Sequence, residues 1–369
     1  MMKWCKQCIL PDTRPNLNFK NNICSICRNK KTNTGSSKQK LKILKKIISY
    51  AKTNSKSYDC LIPVSGGKDS TWQVVKALEL GLKPLTFTWK TPFRTKIGSE
   101  NLENLKSLGV DHIDWSTNLK IEKKICLDAF IKHGSTAISM HSTIFNLPLH
   151  LANKFKIPLI IWGENSAYEY GDEKNNISNF KLDKKWFAKF GVTNNYDFNK
   201  VLKKSKKNIF FTTSYDQSFY KTNSNILSIF LGHFFKWDPE LVNKVARKKG
   251  FKKLKKPQIG YYNYADLDDD CLIPIHHWMK WYKFGFTRDF DNLSLEIRRG
   301  RISRSKALKL INKKNFKPPL KAINKFCKYY EINTKKFFDI AEKFRNKKIW
   351  KKNKIGKFEI PNFIIKYDF

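Results

Sequence analysis

The short run Val64–Ser70, with the letters VSGGKDS, is the feature that most constrains the fold of this chain. It follows the apolar run Tyr58–Val64, which predicts a strand, and precedes Ser70–Leu80, which predicts a helix that ends at Gly81. Consecutive glycines let a backbone approach a phosphate closely, and the N-terminus of a helix offers unpaired N–H groups to it. A strand, a glycine turn and a helix in this order favour a phosphate-binding loop over an ordinary turn rich in Gly and Ser.

The side chains of this loop suit the phosphates of a nucleoside triphosphate. Lys68 supplies a positive charge, and Asp69 supplies a carboxylate of the kind that holds Mg²⁺. The spacing differs from the Walker pattern, in which more residues separate the first Gly from the Gly-Lys pair. The predicted contacts to phosphate and Mg²⁺ are Ser65, Gly66, Gly67, Lys68, Asp69 and Ser70.

Apolar strand patterns alternate with amphipathic helix patterns downstream of the loop. The predicted strands are Pro84–Trp89, Asp111–Trp115 and Pro158–Trp162, and the predicted helices are Ser99–Leu108, Leu119–Lys132 and Thr136–Phe155. This alternation is typical of an open parallel sheet flanked by helices, and we assign it to an α/β domain over residues 57–260. The pattern weakens after Gly171, so the sequence predicts no topology for residues 175–260.

Helical patterns return in a C-terminal region that we bound at residues 261–369. They cover Ser303–Asn312, Leu320–Tyr329 and Thr334–Lys347. Two basic runs precede them, KFGFTRD at 283–289 and EIRRGR at 296–301. Because arginine binds carboxylates and phosphates with two parallel hydrogen bonds, Arg298, Arg299 and Arg301 are predicted to bind an anionic substrate. A basic surface turn is the alternative.

Acidic side chains follow the last predicted strand. Glu164 and Glu169 lie in the run GENSAYEYG at 163–171, where ligands of open α/β sheets bind, and each is a candidate base, metal ligand or hydroxyl acceptor. An ordinary acidic loop is the alternative. The acidic run 266–270, with the letters DLDDD, precedes His276 and His277, which together suggest a metal site. Helix capping and surface charge explain the run as readily as a metal does.

Two Cys-x-x-Cys pairs mark a small module at residues 1–30. Its cysteines, Cys5, Cys8, Cys24 and Cys27, have the spacing of a structural Zn²⁺ site. A polar linker and the amphipathic run Leu41–Ala51 follow over residues 31–56. The four other cysteines are predicted to be buried hydrophobes, although one could carry sulfur or act as a nucleophile: Cys60, Cys126, Cys271 and Cys327.

The chain carries a formal net charge of +42, which attracts polyanions. The lysines are spread along the whole sequence, so a solvated lysine-rich surface is favoured over dedicated nucleic-acid binding. The N-terminus has no signal-peptide core, and no apolar run reaches the roughly 18 residues that span a bilayer. The sequence therefore predicts a cytoplasmic protein with no membrane insertion and reduced cysteines.

The hexapeptide SGGKDS at 65–70 resembles the PP-loop of the N-type ATP pyrophosphatase superfamily. The resemblance implies an adenine nucleotide alpha hydrolase-like fold, with ATP and Mg²⁺ bound at the loop and the adenine near Phe87–Trp89. It also implies cleavage of ATP between its α and β phosphates, with transfer of AMP to a carbonyl or amide oxygen.

Five segments together resemble one family of this superfamily, the bacterial N-acetyl sugar amidotransferases of surface-polysaccharide and nonulosonic-acid biosynthesis. They are the two Cys-x-x-Cys pairs, SGGKDS, WGENSAYEYG at 162–171 and KFGFTRDFDNLSLEIRRGRISR at 283–304. The resemblance implies conversion of an acetamido group to an acetamidino group through an adenylylated intermediate. It implies as partners an acetamido-sugar substrate and separate glutaminase and ammonia-channel subunits.

Two other functions remain open from the sequence. A tRNA-modifying PP-loop enzyme would adenylylate a base oxygen, and the net charge, the Cys module and scattered aromatic residues are compatible with RNA binding. A zinc-dependent nucleotide-binding protein that no longer turns over ATP is the non-enzymatic alternative, although the intact Lys68 and Asp69 argue against it.

Overall fold

A parallel sheet organises the chain in a computed structural model that describes residues 2–28, 37–164, 180–182, 186, 196–203, 225–314 and 316–364. Its strands are β1 (Cys60–Pro63), β2 (Pro84–Trp89), β3 (Asp111–Trp115), β4 (Leu159–Trp162) and β5 (Leu227–Phe230). They lie in the order β3-β2-β1-β4-β5, and every pairing is parallel. The predicted open parallel α/β sheet is therefore confirmed.

The strand order reverses between β1 and β4. From β1 the chain moves outward through β2 to β3, and then returns to place β4 on the other side of β1. Ligands of such sheets bind in the crevice at the carboxyl ends of the two strands that flank the reversal. Val64–Ser70 follows β1 and Gly163–Glu164 follows β4, so both segments lie at this crevice.

Helices cover both faces of the sheet. One face packs against α1 (Lys38–Asn54), α2 (Lys68–Glu79), α3 (Lys96–Lys106) and α6 (Pro239–Lys248). The other packs against α4 (Leu119–His133), α5 (Ile138–Lys154), α7 (Leu272–Phe284), α10 (Leu320–Tyr330) and α11 (Thr334–Lys343). Successive strand residues alternate between the faces, since Leu61 joins the second core while Cys60 and Ile62 join the first. Burial on both sides explains the continuous apolar strands.

A third core joins the N-terminal Cys module to the C-terminal region. In the module, Phe19–Lys20 pairs antiparallel with Ile23–Cys24, and the short helix Ser25–Arg28 follows. Its cysteines and Ile9, Leu10 and Leu17 pack against α8 (Arg288–Arg298) and α9 (Arg304–Asn312). The Cys module therefore rests on the C-terminal helices rather than on the sheet.

Three short elements complete the described structure: the helices Phe198–Lys203 and Leu231–Phe234, and an antiparallel ladder that pairs Lys351–Lys352 with Phe358–Glu359. The ladder follows α11 near the C-terminus of the described chain. Within the described residues, no helix is both long and apolar enough to cross a membrane.

The predicted elements are largely observed, with ends that differ by a few residues. β2 and β3 have the predicted bounds, and the predicted strand Tyr58–Val64 is shortened to β1. The predicted helix Thr334–Lys347 ends at Lys343. The sequence patterns did not predict β5, α6, α7 or α8, which fall where periodicity was weak or where a run was interpreted as a basic patch.

Candidate nucleotide site

The loop between β1 and α2 has the backbone that its glycines predict. Gly66 has a φ of +77°, a left-handed conformation that favours glycine. Gly67 is the N-cap of α2 in extended conformation, so the first N–H groups of α2 point out of the helix end without intrahelical acceptors. The hydroxyl of Ser70 accepts a hydrogen bond from the Ser65 N–H at 2.9 Å. The loop is thus fixed at both ends and presents backbone donors to the crevice.

Close packing against α3 also excludes a side chain at Gly66. A β-carbon there would lie 3.0 Å from the Leu102 nitrogen and 3.1 Å from the Gly98 carbonyl oxygen. Gly98 is constrained in turn, since its own β-carbon would lie 2.9 Å from the Cα of Asp268. The loop, α3 and the 262–268 segment are therefore in tight contact.

Lys68 and Asp69 form an ion pair at the first turn of α2. The Lys68 ammonium lies 2.5 Å from Asp69 Oδ2, and the lysine side chain is buried. The other carboxylate oxygen, Oδ1, is buried and has no hydrogen-bond partner among the described residues. A carboxylate oxygen of this kind, beside a lysine and a helix N-terminus, fits the ligand chemistry of a Mg²⁺ held with phosphate oxygens.

A cavity of about 210 Å³ opens at the loop and has walls from distant parts of the chain. The sheet side contributes the loop, α3 and Glu164, and the opposite side comes from the C-terminal region. The lining residues of the opposite side are Tyr262, Tyr264, Ala265, Asp266, Leu267, Asp268, Arg288, Asp291, Asn292, Leu295 and Arg298. Trp237 and Pro239, at the start of α6, close the remaining edge.

Helix α8 lays one face along this cavity. Arg288, Asp291, Asn292, Leu295 and Arg298 line it and recur at helical spacing. Arg288 donates to Asp266 Oδ2 at 3.3 Å. From Arg288 to Arg298 this face spans about 15 Å along the helix axis.

Two parallel tyrosines connect the C-terminal wall to the loop. The rings of Tyr262 and Tyr264 stack with centroids 5.0 Å apart, and Lys68 Nζ lies 5.7 Å from the Tyr264 ring centroid. Tyr264 donates its hydroxyl proton to Glu240 Oε1 at 2.5 Å, and Tyr262 donates to Glu296. Each tyrosine is thereby fixed by a carboxylate outside the cavity lining.

The three predicted arginines have different surroundings. Arg298 lines the cavity, whereas Arg299 and Arg301 do not. Arg299 Nε lies 3.4 Å from Asp238 Oδ2, and Arg301 binds Asp238 and also Glu296, the latter at 2.8 Å. Their role in substrate binding remains a prediction, and the geometry favours Arg298 for contact with a ligand.

Glu164 lies in the lining of the cavity, directly after β4. Its neighbour Gly163 is packed tightly, because a β-carbon there would lie 2.5 Å from Gln73 Nε2 and 2.8 Å from Trp237. Glu169 lies outside the described residues. Phe87 and Trp89, near which the resemblance implies the adenine, are buried in the core of the sheet.

The acidic run before α7 contains a buried carboxylate, that of Asp269, and a partly buried one, that of Asp268. Asp269 is 1% exposed and caps α7, accepting from the N–H groups of Cys271 at 2.9 Å and Leu272 at 2.6 Å. Asp268 lines the cavity, and burial raises its pKa to about 7. Helix capping is the correct interpretation of Asp269, and surface charge was wrong for it.

The four module cysteines meet in one buried group. Their Sγ atoms all lie within 4.8 Å of one another, and Cys8 Sγ lies 3.7 Å from Cys24 Sγ. A tetrahedral Zn²⁺ with bonds of about 2.3 Å places its sulfurs about 3.8 Å apart, so the donor set and its spacing fit zinc. The N–H groups of Cys8 and Cys24 each donate to Cys5 Sγ at 3.4 Å. Hydrogen bonds from Cys24 and Cys27 lower the pKa of Cys5.

The remaining cysteines are all buried and free, as predicted for hydrophobes. Burial raises the pKa of Cys60, Cys126 and Cys271, which suppresses the thiolate that a nucleophile or a sulfur carrier would need. Arg288 of the predicted basic run 283–289 lines the cavity, and the lining residues that the sequence did not single out include Tyr262, Tyr264, Asp291 and Asn292. The i, i+3 and i+4 spacing of polar residues over 288–298 was the available signal for the last two.

The fold and the loop define the class of protein. It is a doubly wound parallel α/β protein whose phosphate-type loop and cavity lie where the strand order of the sheet reverses. Residues 258–363 match the family model described as LPS biosynthesis protein WbpG-like, C-terminal domain. The match is confined to the C-terminal segment, which supplies the wall of the cavity opposite the loop.

No curated protein matches the chain in sequence. The solved structures that match include the NMN synthetase from Francisella tularensis, with 13% sequence identity. That match covers 58% of this chain and 96% of the other, with a TM-score of 0.28.

Proposed function

We propose that this chain is an ATP-dependent, AMP-forming amidotransferase that converts the acetamido group of an N-acetyl sugar to an acetamidino group, in lipopolysaccharide or nonulosonic acid biosynthesis. One observation carries the proposal. The cavity joins the SGGKDS loop to a wall from residues 258–363, which are similar to the C-terminal domain of an LPS biosynthesis protein. A triphosphate site and a site for a polysaccharide precursor would thus share one cavity.

In the first step, the amide oxygen of the acetamido group attacks the α-phosphorus of ATP. The bond to the bridging oxygen of pyrophosphate breaks, and an O-adenylyl imidate forms. The loop N–H groups and Lys68 stabilise the negative charge that develops on pyrophosphate, which is electrostatic stabilisation of the kind that dominates such transfers. Asp69 would hold a Mg²⁺, which would neutralise further charge on the phosphate oxygens.

In the second step, ammonia attacks the imidate carbon and AMP leaves with the former amide oxygen. The product is the acetamidino group, and one proton is lost from the attacking nitrogen. Glu164 lies in the cavity lining and is a candidate acceptor for that proton. Glu169 remains a second candidate from the sequence.

The substrate would lie against α8. We assign Arg298 to the carboxylate or diphosphate of the sugar, since it lines the cavity and a guanidinium binds such groups with two hydrogen bonds. Arg299 and Arg301 would support this wall through Asp238. Ammonia would come from a separate glutaminase through a channel subunit, and the Cys module would hold a structural Zn²⁺.

The experiment that tests the proposal measures AMP and pyrophosphate release by the zinc-loaded protein with ATP, Mg²⁺ and ammonium. Acetamido-sugar nucleotides and nonulosonic acids are compared with bulk tRNA. We expect sugar-dependent AMP formation, with one oxygen of the sugar replaced by NH in the product mass. AMP formation stimulated by tRNA alone would contradict the proposal and favour the RNA-modifying alternative.

Two variants test whether the loop carries the activity. Asp69→Ala and Lys68→Ala should each abolish pyrophosphate release while the protein stays folded. Lys76→Ala is the matched control, because Lys76 lies on the same helix and pairs with Glu79 at 2.6 Å outside the cavity lining. Full activity of Asp69→Ala would remove Asp69 from the mechanism.

A further inference from the structure

An arginine of the Cys module reaches the wall of the cavity. Arg14, which lies between the two Cys pairs, donates from Nε to Asp291 Oδ1 at 2.9 Å. Asp291 belongs to the face of α8 that lines the cavity. The two residues are 277 positions apart in the chain. The Cys module and the candidate site therefore share a direct ionic contact.

Asp291 is held from two sides. Its other oxygen, Oδ2, accepts from Lys280 Nζ of α7 at 2.6 Å. The side chain of Asp291 is 4% exposed and that of Arg14 is 9% exposed, so water does not screen the contact. The cations around it, Lys280 first and then Arg14, keep the pKa of Asp291 well below its usual range against the effect of burial. The carboxylate is charged and fixed in orientation by two donors.

The position of Asp291 sets that of its neighbours on the cavity face. Arg288 lies one helical turn before it, and Asn292 follows it and accepts from the Tyr261 N–H at 3.1 Å. A carboxylate anchored by Arg14 and Lys280 therefore restrains α8 about its own axis. Rotation of α8 would move both residues within the lining.

Other contacts hold the module to the C-terminal helices without Arg14. The Ile9 N–H donates to Ser294 Oγ at 3.3 Å, and Arg304 Nε donates to the Cys8 carbonyl at 3.1 Å. The Trp4 ring stacks on Phe290 with centroids 5.6 Å apart. Docking of the module thus does not depend on Arg14 alone. The contact of Arg14 with the cavity wall can therefore be removed without undocking the module.

We propose that Arg14 is a positioning residue of the cavity, through which the Cys module orients the α8 face that meets the ligand. The module then contributes to ligand binding as well as to stability. The positioning of α8 concerns the free protein, whereas the effect on sugar binding rests on the proposed function.

Hydrogen exchange of the zinc-loaded full chain tests the proposal. In Arg14→Gln, peptides that cover 288–298 should exchange about tenfold faster, while peptides of the module and of the sheet keep their protection. Arg14→Lys retains the charge and should restore most of the protection. Arg28→Gln is the matched control, since Arg28 is an exposed arginine of the same module that donates to the Ile23 carbonyl at 3.2 Å and lies outside the cavity lining.

The same variants separate positioning from a merely structural role in turnover. Arg14→Gln should raise the KM for the sugar about tenfold, with the KM for ATP within about twofold of the parent value. Asp291→Asn should have a similar effect, and the double variant should be no worse than either single variant. If the parent shows no amidotransferase activity, the proposed function fails, and hydrogen exchange still decides this inference.

Two results would overturn the inference. One is unchanged exchange over 288–298 in Arg14→Gln with zinc content intact. The other is accelerated exchange throughout the module and the sheet in both Arg14→Gln and Arg14→Lys, which would make Arg14 a general stabilising residue.

Discussion

The backbone nitrogen of Leu102 lies 3.0 Å from the point that a β-carbon on Gly66 would occupy. Helix α3 therefore leaves no room for a side chain at the first glycine of the loop. Because φ at Gly66 is +77°, an alanine there would also adopt a strained backbone. The two effects add at a residue that shapes the phosphate site.

Gly66→Ala should impair nucleotide binding and destabilise the protein by more than backbone strain alone. Gly300 separates the two effects, since its φ is +71° but nothing lies within 4 Å of its β-carbon position. Gly300→Ala should cost about 1–2 kcal/mol from strain alone. Denaturant titrations and Mg²⁺·ATP binding of both variants provide the measurement. Equal losses in the two variants would show that contact with α3 is unimportant.

The buried carboxyl of Glu122 should make stability depend on pH. Glu122 is 1% exposed, accepts from the Tyr330 hydroxyl at 3.3 Å, and has its pKa raised by burial to about 7 from 4.5. Between these values the folded state binds the proton and the unfolded state does not. The free energy of unfolding should therefore fall as pH rises from 4.5 through 7, by about 3 kcal/mol from this group.

Glu122→Gln should remove this slope and be more stable than the parent protein at pH 8. Glu331→Gln is the control, because Glu331 has a side chain 81% exposed and pairs with Lys123 at 3.3 Å at the surface. Urea unfolding at pH 5, 6, 7 and 8 measures both. An unchanged slope in Glu122→Gln would assign the pH dependence to other groups.

Removal of metal from the Cys module should loosen the C-terminal helices. The four cysteines belong to the same core as Phe286, Phe290 and Leu293, so the module and α8 are expected to lose order together. Cys27→Ser should lower zinc content and the melting temperature, as should a chelator. Cys327→Ser, a buried cysteine on α10, should keep the full zinc content. Stoichiometric zinc in Cys27→Ser would contradict the four-thiolate assignment.

Removal of Arg298 should lower catalytic efficiency, whereas removal of Arg301 should lower the free energy of unfolding. Arg298→Ala should lower kcat/KM for the sugar about 10-fold to 100-fold, because a charged hydrogen bond to the ligand is lost. Arg301→Ala should instead destabilise the protein by about 1–2 kcal/mol, since the buried carboxylates of Asp238 and Glu296 lose a partner that is itself partly exposed. Kinetics and urea unfolding of both variants distinguish these effects. A large loss of kcat/KM in Arg301→Ala, with a loss of stability in Arg298→Ala, would place Arg301 at the ligand.

The elements that the sequence predicts well are those whose ends carry a local signal. β2 has the predicted bounds because Pro84 opens a run of six residues, PLTFTW, that is rich in strand-favouring side chains and buried throughout. α2 follows the loop because its apolar positions repeat at helical spacing. These signals act over a few residues, so one sequence contains them.

The elements that the sequence does not predict have no local signal at their ends. α7, with the letters LIPIHHWMKWYKF, is apolar or aromatic on nearly all sides, since it lies between two packed layers. β5 is a short apolar run that periodicity cannot distinguish from buried helix. The contact of Arg14 with Asp291 depends on how distant segments pack, which leaves no trace in local spacing.

The walls of the cavity come from the loop at 65–69 and from residues up to Arg298. During synthesis, the phosphate loop therefore leaves the ribosome long before α8 exists, and a nascent chain that ends before residue 258 has half a cavity. Under the proposed function, such an intermediate would bind ATP weakly and could not align it with the sugar. Premature termination would then yield a fragment that cleaves little ATP.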